Sequence, residues 1–179
     1  MGDLRLIETS NGGDLVLKGN DLEIINGFQN MPYLSLFGGN VGQKTPATET
    51  TGEQNFDYLL NALLFSGNSD VQMNSETEYK FNTMNLNSKG INELDKIIKE
   101  DLRWMQKLAN VSIASSIVDI DNIGIVIRLQ EPSTKQTSDY IYIWNATNEE
   151  LTQVEADSSE SISGLIDFKD ADFKYIDFF

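Results

Sequence analysis

Neither cysteine nor histidine occurs among the 179 residues. Without cysteine there is no disulfide, no thiolate nucleophile and no cysteine-ligated zinc or iron–sulfur site. Without histidine the chain alone builds no Ser/His/Asp triad, no Cys/His dyad and no histidine-ligated metal. Most hydrolase templates fall away, and the redox compartment leaves no mark. Positive charge is scarce as well: 13 Lys and Arg stand against 28 Asp and Glu, a formal net charge of −15. That field repels a phosphate backbone or an anionic membrane unless a local basic patch intervenes. The densest basic stretch, residues 96–107, is interleaved with Glu100 and Asp101, so neither nucleic acid nor membrane is an expected partner. Long apolar runs are missing too. The best, residues 58–65, falls far short of the ~20 residues of a membrane helix. The acidic, alternating residues 1–8 do not resemble a secretion signal, and a soluble chain is expected.

What is present suffices for a core: 40% of residues are apolar, with nine Phe, six Tyr and two Trp, against the entropy of ordering the chain. The length fits one domain, or one domain with an arm. A small unit recurs near the start, as Asp3-Leu4-Arg5-Leu6, Asp14-Leu15-Val16-Leu17 and Asp21-Leu22-Glu23-Ile24. Leucines alternating with polar residues suit half-buried strands, and the intervening Asn11-Gly12-Gly13 and Gly19-Asn20 suit turns, so a β-meander is expected. Asp14, Asn20 and Asp21 near glycines also invite a calcium loop. The spaced acidic ligands and closing Glu of an EF-hand loop are absent, which favours turn chemistry.

Residues 27–37 read as a short, partly helical core segment, with Phe28, Met31, Leu34 and Phe37 at three-residue spacing around Pro32. Residues 38–54, rich in Gly, Thr and Asn, read as an exposed loop. Its Gly38-Gly39-Asn40-Val41-Gly42 lacks the Lys-Ser/Thr or the strand–helix setting of a phosphate cradle. Ser75 has the character of an N-cap, with Glu76 and Glu78 where a helix dipole favours acid, and a helix to about Met84 is expected. A longer helix, of about 20 residues, starts at Asn87 or Ser88 and carries Ile91, Leu94, Ile98, Leu102, Met105 and Leu108 at helical spacing. Residues 111–120, 123–129 and 140–144 are β-branched and aromatic, with Asp121-Asn122 as a turn. Helices followed by sequential strands on short connections predict an α+β fold, its antiparallel sheet packed on the long helix.

A resemblance emerges from Asn61-Ala62-Leu63-Leu64-Phe65, Asn74-Ser75-Glu76-Thr77-Glu78, Leu86-Asn87-Ser88-Lys89-Gly90, Ile98-Lys99-Glu100-Asp101-Leu102 and Ile141-Tyr142-Ile143-Trp144. With the Asp-Leu repeats, Leu36-Phe37 and the order of elements, the chain from Asp3 to Trp144 resembles the Mu-type baseplate proteins of contractile-tailed phages. That family is similar to the wider wedge and sheath-initiator group, including the corresponding subunit of type VI secretion. The resemblance implies a structural subunit of the tail baseplate in the virion, assembled in the host cytoplasm. It implies six copies around the hub and tube, joined to neighbouring wedge proteins and offering a platform to the first sheath ring. It implies no catalytic residue, no cofactor and no metal. The family's Trp-Trp-Gly or Trp-Gly-Asn signature would fall near residues 57–62, where this chain has neither Trp nor Gly.

Two other function classes compete. The wider group includes members labelled lysozyme-like, which raises glycoside hydrolysis: two carboxyls across a cleft, about 5 to 10 Å apart. Glu131, with Asp119 or Glu100 as partner, is the candidate set; the bland reading makes Glu131-Pro132 a strand end and the others solvated charges. An acidic adaptor module outside phage tails is the third class.

The composition changes after Asn145. Residues 148–179 hold nine acidic and two basic residues, and 156–163 read as a polar linker. Beyond it, Asp167-Phe168, Asp172-Phe173 and Asp177-Phe178 recur every five residues. The division expected is 1–147 as the α+β domain and 148–179 as acidic linker and extended aromatic arm. Phe168, Phe173, Tyr175, Phe178 and Phe179 are the candidate partner-binding residues, since such side chains in an acidic tail call for a pocket. Docking on a neighbouring subunit is favoured over docking on the chain's own domain.

Overall fold

The computed structural model describes residues 2–8, 13–26, 30–39 and 75–154. It has the α+β architecture expected, with an N-terminal strand region, helices and a four-stranded antiparallel sheet.

Each Asp-Leu-x-Leu/Ile unit forms two short strands broken at its third residue. The strands are β1 (Gly2–Leu4) and β2 (Leu6–Glu8), β3 (Gly13–Leu15) and β4 (Leu17–Lys18), β5 (Asp21–Leu22) and β6 (Ile24–Asn26). Successive units pair antiparallel as a meander requires, β2 with β3 and β4 with β5. The chain then closes on itself, because β6 pairs back to β1. The pairing is therefore a threefold cycle. The second residue of each unit faces the fourth residue of another: Leu4 faces Ile24, Leu15 faces Leu6 and Leu22 faces Leu17. At the breaks, Arg5 N–H donates to the Glu23 carbonyl (2.9 Å), Glu23 N–H to Val16 (2.8 Å) and Val16 N–H to Arg5 (3.1 Å). Asp3, Asp14 and Asp21 each accept from the amide of the following leucine, at 2.9, 2.7 and 2.8 Å. Gly19 supplies the positive φ, 68°, that the tight β4–β5 hairpin needs.

The body is built from α1 (Met31–Phe37), α2 (Thr77–Thr83), α3 (Ser88–Asp101) and a 3-10 turn over Arg103–Lys107. The expected 20-residue helix thus runs over 88–107 but tightens in its last turn. Asn87 caps it, accepting from Gly90 N–H at 2.9 Å. The sheet orders β10-β9-β8-β7, with β7 at Asn110–Ile117, β8 at Asn122–Gln130, β9 at Thr137–Asn145 and β10 at Glu150–Val154. Strand β10 corrects the expected boundary: the sheet continues past residue 147, because Leu151 pairs with Trp144 and Val154 with Ile141. The acidic flank Glu149-Glu150 masked a short strand whose apolar residues find partners on β9.

The central strand β8 is buried on both sides. Ile123, Ile125 and Ile127 join the core with Leu94, Ile98, Leu102 and Met105, all fully buried. Val126 and Ile141 form a second, smaller cluster. An aromatic train links the layers: Phe37 to Phe81 (6.3 Å), Phe81 to Trp144 (4.9 Å) and Phe37 to Tyr142 (5.6 Å between centroids). Among the described residues no helix is long and apolar enough to cross a membrane.

Candidate interaction surface

The carboxylates separate into structural groups. Glu131 sits in the β8–β9 turn and accepts from Thr134 Oγ1 at 2.6 Å. Asp119 organises the β7–β8 turn, accepting from Asn122 Nδ2 and from the Asp121 and Asn122 amides at 2.9 Å each, and the Asn122 side chain first, then the amides, hold it below the usual carboxylate range. Glu100 is exposed and pairs with Arg103. The first two occupy different turns and the third the end of α3, each in local chemistry, which is the bland reading of all three. Asp14 and Asp21, the calcium candidates, lie on β3 and β5 bonded to their own strands. Among the described residues no group of three or more acidic side chains is placed to hold a metal ion.

The partly buried acids are elsewhere, at the joints between elements. Asp101, at the end of α3, accepts from the Glu76 and Thr77 amides and from Thr77 Oγ1 (3.0 and 2.6 Å to Thr77). It caps α2 from 24 residues away. Ser75, the expected cap, instead donates its hydroxyl to the Leu36 carbonyl and ties α2 to α1. Burial pushes Asp101 up to about 7 against the pull of those hydrogen bonds. Glu78 is also raised to about 7, by burial and then by the charge of Glu8. Lys80 of α2 meets Glu93 of α3 at 2.5 Å and lowers the Glu93 carboxyl.

Two side chains join the β-unit to the body. Asn30, buried just before α1, donates from Nδ2 to the Leu4 carbonyl (2.6 Å) and to Asp3 Oδ2 (3.1 Å), and accepts from Leu6 N–H (3.0 Å). Tyr33 donates to the buried Glu8 at 2.7 Å. Its ring lies so close to β3 that a Cβ at Gly13 would stand 2.5 Å from its hydroxyl, so a larger residue there would have to push Tyr33 aside. Leu6 packs against the main core.

Ile25 is buried and Ile7 and Val16 half-buried, but the other apolar residues of the unit face outside. Leu4, Leu15 and Leu22, equivalent in the cycle, are 38%, 40% and 39% exposed. Leu17 and Ile24, the equivalents of the packed Leu6, are each 68% exposed. Asp3, Asp14 and Asp21 are exposed beside them. Large apolar side chains standing beside carboxylates make this unit the candidate interaction surface. The alternation of these leucines predicts a buried strand face, whereas the structure turns most of them outward. The candidates Phe168, Phe173, Tyr175, Phe178 and Phe179 lie outside the described residues.

No family model, no curated protein and no solved structure matches the chain.

Proposed function

We propose that this protein is a non-enzymatic structural subunit of a contractile phage-tail baseplate. In that role it is a wedge-type component, six copies around the hub, that joins neighbouring baseplate proteins and helps the first sheath ring to start. Its place is then the virion tail, reached by assembly in the host cytoplasm. The baseplate identity draws on the sequence resemblance from Asp3 to Trp144. The observation that carries an assembly role is the outward-facing apolar surface of the N-terminal β-unit, above all Leu17 and Ile24. A face of that kind is stabilising only when something covers it. The turn settings of Glu131 and Asp119 and the surface pair of Glu100 speak for structure over hydrolysis.

The aromatic residues Phe168, Phe173, Tyr175, Phe178 and Phe179 fit the same role as a latch onto a neighbour. Deleting residues 165–179 is expected to loosen assembly while leaving the core's unfolding transition in place. Cryo-electron microscopy of purified particles decides the reading through position and copy number. Six copies at the junction of tube and baseplate are expected; absence from particles would sink it.

A further inference from the structure

Each break in the β-unit turns one carbonyl and one amide out of its ladder. In the pairs Leu4 with Ile24, Leu15 with Leu6 and Leu22 with Leu17, the hydrogen bonds run between flanking residues, such as Arg5 to Glu23. These are therefore non-hydrogen-bonded pairs, whose own amides and carbonyls point away from the partner strand. In the first unit both outward groups meet one side chain. Asn30 bridges the Leu4 carbonyl and the Leu6 amide, and its Nδ2 also reaches Asp3. A carboxamide is thus seated in a frame of carbonyl, amide and Asp carboxylate, and the side chain of Leu6 packs on the main core.

The cycle repeats that frame twice. The second unit carries the Leu15 carbonyl, the Leu17 amide and Asp14; the third carries the Leu22 carbonyl, the Ile24 amide and Asp21. At both, the residue equivalent to Leu6 lies open to solvent.

We infer that these two frames are docking points for Asn or Gln side chains of a different protein, each followed by an apolar residue that covers Leu17 or Ile24. The inference deepens the assembly role proposed above, and rests on it in taking the partner to be a protein. A carboxamide offers a donor and an acceptor on one planar head, and Asn30 already uses both on a carbonyl and an amide two residues apart. A carboxylate accepts but cannot donate, and meets the charge of Asp14 or Asp21. An ammonium or guanidinium donates but cannot accept from the amide. A second copy is disfavoured because its net charge of −15 opposes close approach. The partner segment is therefore neutral or basic around its carboxamide.

The test uses the frame's own occupant as a probe. An acetylated peptide copying residues 30–37, with a Gly-Ser tail for solubility, is titrated into the full-length 15N-labelled chain. Saturable shifts are expected at the Leu17 and Ile24 amides. A peptide with Asn30→Asp should bind about tenfold more weakly, since a frame hydrogen bond is left unmade beside a like charge. Asp14→Ala with Asp21→Ala in the protein should also weaken the parent peptide. The absence of shifts at millimolar peptide, shifts confined to other residues, or equal binding of both peptides would overturn the inference. Sedimentation of the chain alone supplies the other arm: a monomer agrees with a foreign partner. A dimer lost on Leu17→Ser with Ile24→Ser would assign the face to a second copy and overturn it. Failure here leaves the baseplate role to its own test in particles, and a chain missing from particles leaves the peptide titration standing.

Discussion

The β-unit and the packed core of the body place most of their leucines and isoleucines differently, although Ile25 of the β-unit is buried and Ile120 of the body is exposed. In the body, Leu94, Ile98, Leu102, Ile123, Ile125 and Ile127 are fully buried between α3 and the sheet. In the β-unit, Leu4, Leu15, Leu17, Leu22 and Ile24 stand at the surface. The body owes its stability to area removed from water. The β-unit is held by backbone hydrogen bonds that close a ring, and by Asn30 and Tyr33, which fasten it to the body. The contrast separates what keeps the molecule folded from what is free to join it to something else.

The contrast breaks most visibly if the body is cut. Ile98→Ala removes methyl groups from a fully packed site and is expected to cost about 2–5 kcal/mol in urea unfolding. A cost near zero would mean that α3 is not what stabilises the sheet.

Titration sharpens it next, because the raised acids lie at the joints of the body. Glu78 and Asp101 have ordinary values of 4.5 and 3.8 and stand at about 7 in the folded chain. The folded state therefore holds protons that the unfolded state releases. Their stabilisation is complete below about pH 4 and is lost as pH rises through about 7, on the order of 3 kcal/mol each. The lowered acids Glu23, Glu93 and Asp119 work in the opposite sense, their contribution being lost as pH falls below the usual carboxylate range. Stability measured by unfolding from pH 4 to 8 should decline across that range, and Glu78→Gln or Asp101→Asn should flatten the decline. A rise with pH would contradict the burial of both acids.

The fastening between the two regions comes third. Asn30→Ala leaves the Leu4 carbonyl and Leu6 amide without their partner and should cost about 1–3 kcal/mol. Hydrogen exchange should quicken at the Leu6 amide while α3 stays protected. Equal loss of protection in both would show that the regions open as one unit. Tyr142→Phe is a smaller change inside the body. Its hydroxyl is fully buried without a hydrogen-bond partner among the described residues, so removal should be neutral or stabilising by up to about 1 kcal/mol. Leu17→Ser and Ile24→Ser should move stability least, within about 0.5 kcal/mol, for all that leucines elsewhere in the chain matter most.

Much of the body was legible because its signals are local. Helical spacing from Ile91 to Leu108 and β-branched runs after Asn110 each report on neighbours a few residues away, and the α+β class followed from their order. Strand β10 was missed because its pairing with β9 matters more than its own composition. The cap of α2 was assigned to Ser75 by a rule that looks three residues ahead, whereas Asp101 arrives from the end of another helix. The candidate surface was half legible: the repeats announced strands and turns, and nothing in them said that the third unit would pair back to the first.

The sequence by itself determined the class of the fold, the absence of cysteine and histidine chemistry, the strong negative field and the threefold recurrence of Asp-Leu-x-Leu/Ile. These follow from composition and from periodicity along the chain. Only the tertiary structure decided which of three equivalent apolar residues is covered. Leu6, Leu17 and Ile24 hold the same place in the repeat, and the difference is made by Asn30 and α1, which seat against one break and leave two open. A periodic sequence cannot encode that choice locally, because burial depends on where the rest of the chain comes to lie.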